Sequence, residues 1–250
     1  MCRHLAYLGP PVALRSIVAD PPHSLLRQSW APRMQRHGTV NADGFGVGWY
    51  ADGDPLPARY RRTGPVWADP SFADLTRVVR SRALLAAVRD ATEGSTPDES
   101  AAAPFAAERW LFSHNGAVTG WPASVADLAA DLPPERLLSL EARCDSALLW
   151  ALVLHRLRSG HSLGEALADT VLDTAARTPA RLNLLLTDGT TIAATTWGDT
   201  LWHRLVPGDH VVVASEPYDD EPGWTQVPDR TLVLATPDGI DASPLKEPSA

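Results

Sequence analysis

The chain has 250 residues, with 22 basic and 30 acidic side chains and a formal net charge of −8, enough for one large domain or two small ones. The acidic balance argues against partners held through a phosphate backbone or an anionic lipid surface, which would be repelled. Two cysteines exclude a disulfide scaffold and a cysteine-rich zinc site.

The longest uncharged stretch, 110–126, contains His114, Asn115, Gly120 and Pro122 and falls short of the roughly 20 apolar residues of a membrane helix. Near the start, Pro10, Pro11, Arg15 and Asp20 interrupt any secretory signal. A cytoplasmic protein without nucleic-acid or membrane partner is the expectation.

In chain order, 3–8 reads as a strand ended by Gly9-Pro10-Pro11, and 12–18 as a short helix closed before Pro21-Pro22. Alternating small and apolar residues at 44–50, the turn Asp52-Gly53-Asp54-Pro55 and 58–62 give a hairpin signal. Phe72, Leu75 and Val79 set helical spacing over 70–80, and 83–88 is a buried strand. The polar segment 93–108 reads as a sixteen-residue loop, a length that is often a lid or binding loop. A strand at 109–113 follows, then helices at 124–132, 135–141, 144–158 and 162–177, the last opened by a Ser162/Glu165 capping box. Strands at 181–186, 191–197, 201–205, 210–215 and 231–235 complete the chain. Strands, then helices, then strands predict an α+β fold with antiparallel sheets. Gly44, Gly46 and Gly48 have neither the third spacing nor the following helix of a nucleotide-binding loop.

Cys2 is the most informative residue. Removal of Met1, expected before a small second residue, leaves a thiol and a free α-amine on one residue. An α-amine has a pKa of about 7.7–8.0, so near neutrality it can take the thiol proton without a histidine base. An amide hydrolase also needs donors where the carbonyl oxygen gains charge. Ser113-His114-Asn115-Gly116, expected at a turn after the 109–113 strand, supplies the Asn115 amide and the Gly116 N–H. Arg89, just after a buried strand, can grip a carboxylate through two N–H groups, or form a surface salt bridge. Asp145 can hold an ammonium, or simply cap the helix that it opens. The eight histidines show no H-x-H or H-x-x-x-H spacing, so no metal is expected.

Taken in order, Cys2, Asn41-Ala42-Asp43-Gly44-Phe45-Gly46-Val47-Gly48, Arg89-Asp90-Ala91-Thr92, His114-Asn115-Gly116, Cys144-Asp145-Ser146 and Ala214-Ser215-Glu216-Pro217 resemble the class II glutamine amidotransferase domains. The resemblance extends over nearly the whole chain. It implies a four-layer αββα sandwich of the N-terminal-nucleophile hydrolase type, a single domain over 2–250, and no cofactor. It further implies Cys2 as nucleophile with its amine as base, Asn115 and the Gly116 N–H as oxyanion hole, and Arg89 and Asp145 on the carboxylate and ammonium of a glutamyl group. Thr92 and His114 would lie beside the substrate. Arg3, Ala87-Val88-Arg89-Asp90 and Glu93 depart from the glutamine-using pattern, which directs the expectation to another small γ-glutamyl amide. The length leaves no room for a synthase domain in this chain. The alternatives are a glutaminase subunit feeding ammonia to a separate synthase, and a non-catalytic γ-glutamyl or glutamine binding protein. For the far side of the substrate, Trp30, Trp67, Trp110 and Trp121 are candidates, since indole faces attract cations.

Overall fold

The structure, a computed structural model, describes residues 2–91 and 98–246. Two antiparallel sheets stack face to face. The first has β1 (Cys2–Ala13), β2 (Gly44–Tyr50), β3 (Pro57–Arg62), β4 (Arg80–Arg89), β9 (Trp202–Val206), β10 (His210–Ala214) and β11 (Thr225–Gln226), in the order β11-β9-β10-β1-β4-β2-β3. The second has β5 (Phe105–Ala107), β6 (Trp110–Val118), β7 (Ala180–Thr187), β8 (Ile192–Thr196), β12 (Thr231–Thr236) and β13 (Gly239–Pro244), in the order β13-β12-β8-β7-β6-β5.

Three separate apolar cores follow from strand alternation, because successive side chains point to opposite faces. On β1, Leu5 and Tyr7 face outward and pack with α1 (Arg15–Val18), α2 (Leu25–Gln28) and α3 (Pro70–Val78), through Ile17, Leu25 and Phe72. Ala6 and Leu8 face inward and meet Leu85, Leu111, Leu185 and Val213 between the sheets. On the far side, Phe112, Leu184 and Leu186 pack under α6 (Asp145–Arg158) and α7 (Leu163–Ala175), through Leu149, Val153, Leu167 and Val171. Burial of each large side chain contributes about 1.5–3 kcal/mol. Three cores between four layers make the αββα arrangement that the motifs implied.

The glycine run of β2 has a packing reason. A Cβ at Gly46 would sit 2.5 Å from the Ala103 carbonyl oxygen, and one at Gly48 would sit 2.7 Å from a Leu111 methyl. Glycine at alternate positions thus lets the second sheet and its approach segment press on the β2 backbone.

Several boundaries differ from the sequence reading. β1 does not stop at Gly9 but runs to Ala13, its pairing with β4 shifting register between Leu8 and Val12. β10 pairs with β1 only over Leu5–Leu8, so Pro10 and Pro11 fall where the strand has become an edge and their missing N–H groups cost nothing. The expected helix at 12–18 shrinks accordingly to α1. Helices expected at 124–132 and 135–141 are the short α4 (Ala126–Ala130) and α5 (Pro134–Leu138), while α7 starts on its capping box. Part of the expected 93–108 loop lies outside the described residues; the remainder contains a 3-10 turn at Glu99–Ala101 and strand β5. β11, β13 and α2, too short or too polar to signal themselves, were not anticipated.

Candidate active site

Cys2 is the first residue of β1, directly opposite Arg89, the last residue of β4, which in turn stands opposite Gly44 on β2. Opposed residues in adjacent strands project to the same face. Cys2 and Arg89 therefore both face the second sheet, at the end of the inter-sheet space where the apolar core stops. Across the gap, Asn115 stands four residues beyond the inward-facing Leu111 on β6 and shares its face. The Cys2 backbone nitrogen donates to Asn115 Oδ1 at 3.2 Å, which ties the two sheets together at this point. The other end of that amide, Nδ2, is buried without a hydrogen-bond partner among the described residues. A buried donor left open in this way is costly unless something else uses it.

A pocket opens here, lined by Cys2, Arg89, Gly116 and Asp145 together with the small side chains of Ala87, Ala101, Ala103 and Cys144. Gly116 is not in a turn, as expected, but inside β6, paired with Leu182 of β7. Glycine is required by close approach: a Cβ would collide with the Arg181 carbonyl and lie 2.6 Å from His114 Nε2. Arg89 is buried, and its Nη1 lies 3.5 Å from the Asp43 carbonyl oxygen. Asp43 braces this corner further: its N–H donates to the Arg89 carbonyl and its carboxylate accepts from the Ala91 N–H at 2.8 Å. Asp145, buried in the first turn of α6, accepts from the Val118 N–H at 3.0 Å and the Ser146 N–H at 2.8 Å. The Ser146 hydroxyl also donates to Oδ1 at 3.3 Å, so Oδ2 is the oxygen that keeps a lone pair for a further donor. Burial pushes the Cys2 thiol pKa up by more than the N-terminal ammonium and the Arg89 guanidinium pull it back, so the thiol is a proton donor at neutral pH and needs a base.

Two expected site residues come out differently. His114 borders the pocket, but its side chain points to the helix side of β6, with Nδ1 2.9 Å from Ser146 Oγ and Nε2 2.9 Å from the Arg181 carbonyl oxygen. With both nitrogens engaged by protein, it fixes β6 to α6 and has no free nitrogen for a substrate. Thr92 lies outside the described residues. None of the four candidate tryptophans lines the pocket: Trp110 and Trp121 belong to the core beneath α6, and Trp30 and Trp67 form an edge-to-face pair at the surface. Cys144, pushed up to about 11 by burial, is a small wall residue.

Sequence reasoning missed Asp43, although its motif was in view, and the fully buried Arg3. The Arg3 side chain, on the opposite face from Cys2, reaches Gln35 Oε1 at 3.3 Å. Nearby Glu216 accepts the consecutive N–H groups of Arg33 and Met34 at 2.9 and 2.8 Å. Together they pin the segment preceding β2, which brings Asp43 to Arg89.

The sequence profile of the glutamine amidotransferases class-II family matches residues 17–212. The chain belongs to this family. It is 46% identical over 246 residues to the gamma-glutamyl-hercynylcysteine sulfoxide hydrolase of Mycobacterium tuberculosis strain H37Rv, covering 98% of this chain and 97% of that protein. The protein of the same name from Mycolicibacterium smegmatis is 44% identical, with 98% and 100% covered. A probable glutamine amidotransferase from Saccharomyces cerevisiae is 26% identical over 93% of this chain and 81% of its own length. Among solved structures, a glutamine aminotransferase class-II domain protein from Silicibacter pomeroyi superimposes with a TM-score of 0.71 at 25% identity, over 98% of this chain and all of the other. The allosteric regulatory enzyme of purine biosynthesis shares the fold at 18% identity (TM-score 0.66), this chain matching 49% of its length. No helix among the described residues is long and apolar enough to cross a membrane.

Proposed function

We propose that this chain, as a single domain over 2–250 after loss of Met1, hydrolyses the γ-glutamyl amide bond of γ-glutamyl-hercynylcysteine sulfoxide, releasing glutamate and hercynylcysteine sulfoxide in ergothioneine biosynthesis. The observation that carries this reading is convergence: a thiol, a cation, a glycine and a carboxylate line one pocket, and the Asn115 amide, its Nδ2 open, is bonded to the Cys2 nitrogen beside it. The near-full-length likeness to proteins bearing that name supports the substrate.

In this mechanism Arg89 holds the α-carboxylate of the glutamyl group and Asp145 its α-ammonium, the two charges fixing the γ-carbonyl over Cys2. The freed α-amine of Cys2 takes the thiol proton, and the thiolate attacks the γ-carbon. Asn115 Nδ2 and the Gly116 N–H stabilise the developing oxyanion. Collapse of the tetrahedral intermediate breaks the C–N bond; the α-ammonium returns its proton to the departing nitrogen, and a γ-glutamyl thioester remains. The amine then deprotonates a water that attacks the thioester, and glutamate leaves as the thiol is restored.

The test combines intact mass with turnover. Purified protein is expected to lack Met1 and to release glutamate from the sulfoxide substrate much faster than from glutamine, and Cys2→Ala to release none. Full activity in protein that retains Met1 overturns the N-terminal nucleophile. Glutamine turnover that rises on adding a synthase partner supports ammonia supply instead, and tight binding without turnover supports a binding protein.

A further inference from the structure

His4 lies two residues past Cys2 on the same inward face of β1, and Ser113 lies two residues before Asn115 on the same inward face of β6. Their side chains meet across the gap, with His4 Nδ1 3.1 Å from Ser113 Oγ and both residues buried. This contact and the Cys2 N–H to Asn115 Oδ1 bond are successive polar rungs at the end of an inter-sheet layer built of Ala6, Leu8, Leu85, Leu111 and their neighbours. The backbone at His4 is fixed as well: its N–H donates to Ser215 Oγ at 3.0 Å, and its carbonyl accepts from the Ser215 N–H at 2.9 Å. Burial holds the imidazole pKa down at about 3, so the ring is neutral at physiological pH and can neither relay positive charge nor compete for Arg89's ligand. Its Nε2 has no partner among the described residues. An imidazole half satisfied in an alanine- and leucine-lined layer is unfavourable for stability compared with an apolar residue. Its position one rung behind the reacting groups points to a gain in placement.

We propose that His4, acting through Ser113, is a positioning residue for acyl transfer: it sets the spacing of the two sheets behind the nucleophile and so places the Asn115 amide against the oxyanion. This rests on the oxyanion role proposed above for Asn115. A displacement of about 1 Å can cost on the order of 10²-fold in rate.

Five variants and one chemical probe test it. Ser113→Ala and His4→Leu are each expected to lower kcat roughly 10- to 100-fold with KM changed by less than about threefold. The double variant should fall no further than either single one, since both remove the same contact. His4→Asn, whose amide can occupy the place of Nδ1, should recover most of the rate. Alkylation of Cys2 by iodoacetamide, which forms no oxyanion, should proceed at the wild-type rate in all of them. Additive losses, wild-type turnover in Ser113→Ala, or an alkylation rate that falls with turnover each overturn the proposal. If Asn115→Ala leaves kcat unchanged, the failure lies in the oxyanion assignment itself, which separates the two readings.

Discussion

The space between the sheets has two ends built from the same strands. At one, β1, β4 and β6 present Leu8, Leu85 and Leu111 to each other; at the other, the same faces of the same strands present Cys2, Arg89 and Asn115. The same strand faces line both ends, so chemistry is assigned by position along the strand. The apolar end provides rigidity, and the polar end uses it: a thiol and an amide from different sheets hold a 3.2 Å contact because the layer behind them cannot slide. The contrast predicts that substitutions sort cleanly by end, changing turnover at one and stability at the other.

The largest expected effect is that of Cys2→Ala, which should reduce glutamate release by at least about 10⁴-fold while leaving the urea midpoint nearly unmoved, since removal of an activated nucleophile leaves little besides binding. Asn115→Ala is expected to lower kcat by about 10²–10³-fold, or about 2.7–4 kcal/mol, the loss typical of one oxyanion donor. A steady-state assay with circular dichroism melts on the same samples checks both. At the other end, Leu85→Ala should cost about 2–5 kcal/mol of unfolding free energy with kcat held within a factor of about two. A Leu85→Ala protein that folds with wild-type stability would break the comparison. Arg89→Lys keeps a charge but loses the planar fork, so kcat/KM should drop roughly 30-fold, about 2 kcal/mol, chiefly through KM.

A last effect is a pH dependence at the boundary between the ends. His4 titrates at about 3 in the folded chain, against about 6.5 unfolded. Its contribution to stability is therefore complete above pH 6.5 and declines as pH falls toward 3, because the unfolded chain binds a proton that the folded one refuses. The slope is up to about 1.4 kcal/mol per pH unit. Urea titrations at pH 6.5 and 4.5 should show this component in the wild type and not in His4→Asn.

Much of the site was legible because its parts are local. Cys2, Arg89, Asn115, Gly116 and Asp145 each sit in a short run whose chemistry can be read alone; four of them line one pocket, and Asn115 bonds the Cys2 nitrogen beside it. Partnerships across the gap were not legible: nothing within His4 or Ser113 announces that strands more than a hundred residues apart bring them to 3.1 Å. His114 borders the pocket, but its partners were not legible for the same reason: they come from α6 and β7, where the Ser146 hydroxyl and the Arg181 carbonyl take both nitrogens. The alternation of β1 was readable to Leu8, while its continuation through two prolines depends on which neighbour flanks each half, a fact of the assembled sheet.

The place of β1 in its sheet also bears on when the site comes into being. It is an interior strand, held by β4 on one side and by Val211–Ala214 of β10 on the other. A growing chain has no β10 until residue 214 has been made, so the N-terminal strand spends most of synthesis without one of its two neighbours. Pairing across some two hundred residues is slow to form, and until it forms the first residues remain accessible chain. Under the mechanism proposed above, loss of Met1 would precede completion of the sheet around β1, whose Leu5–Leu8 gain their second neighbour only with β10.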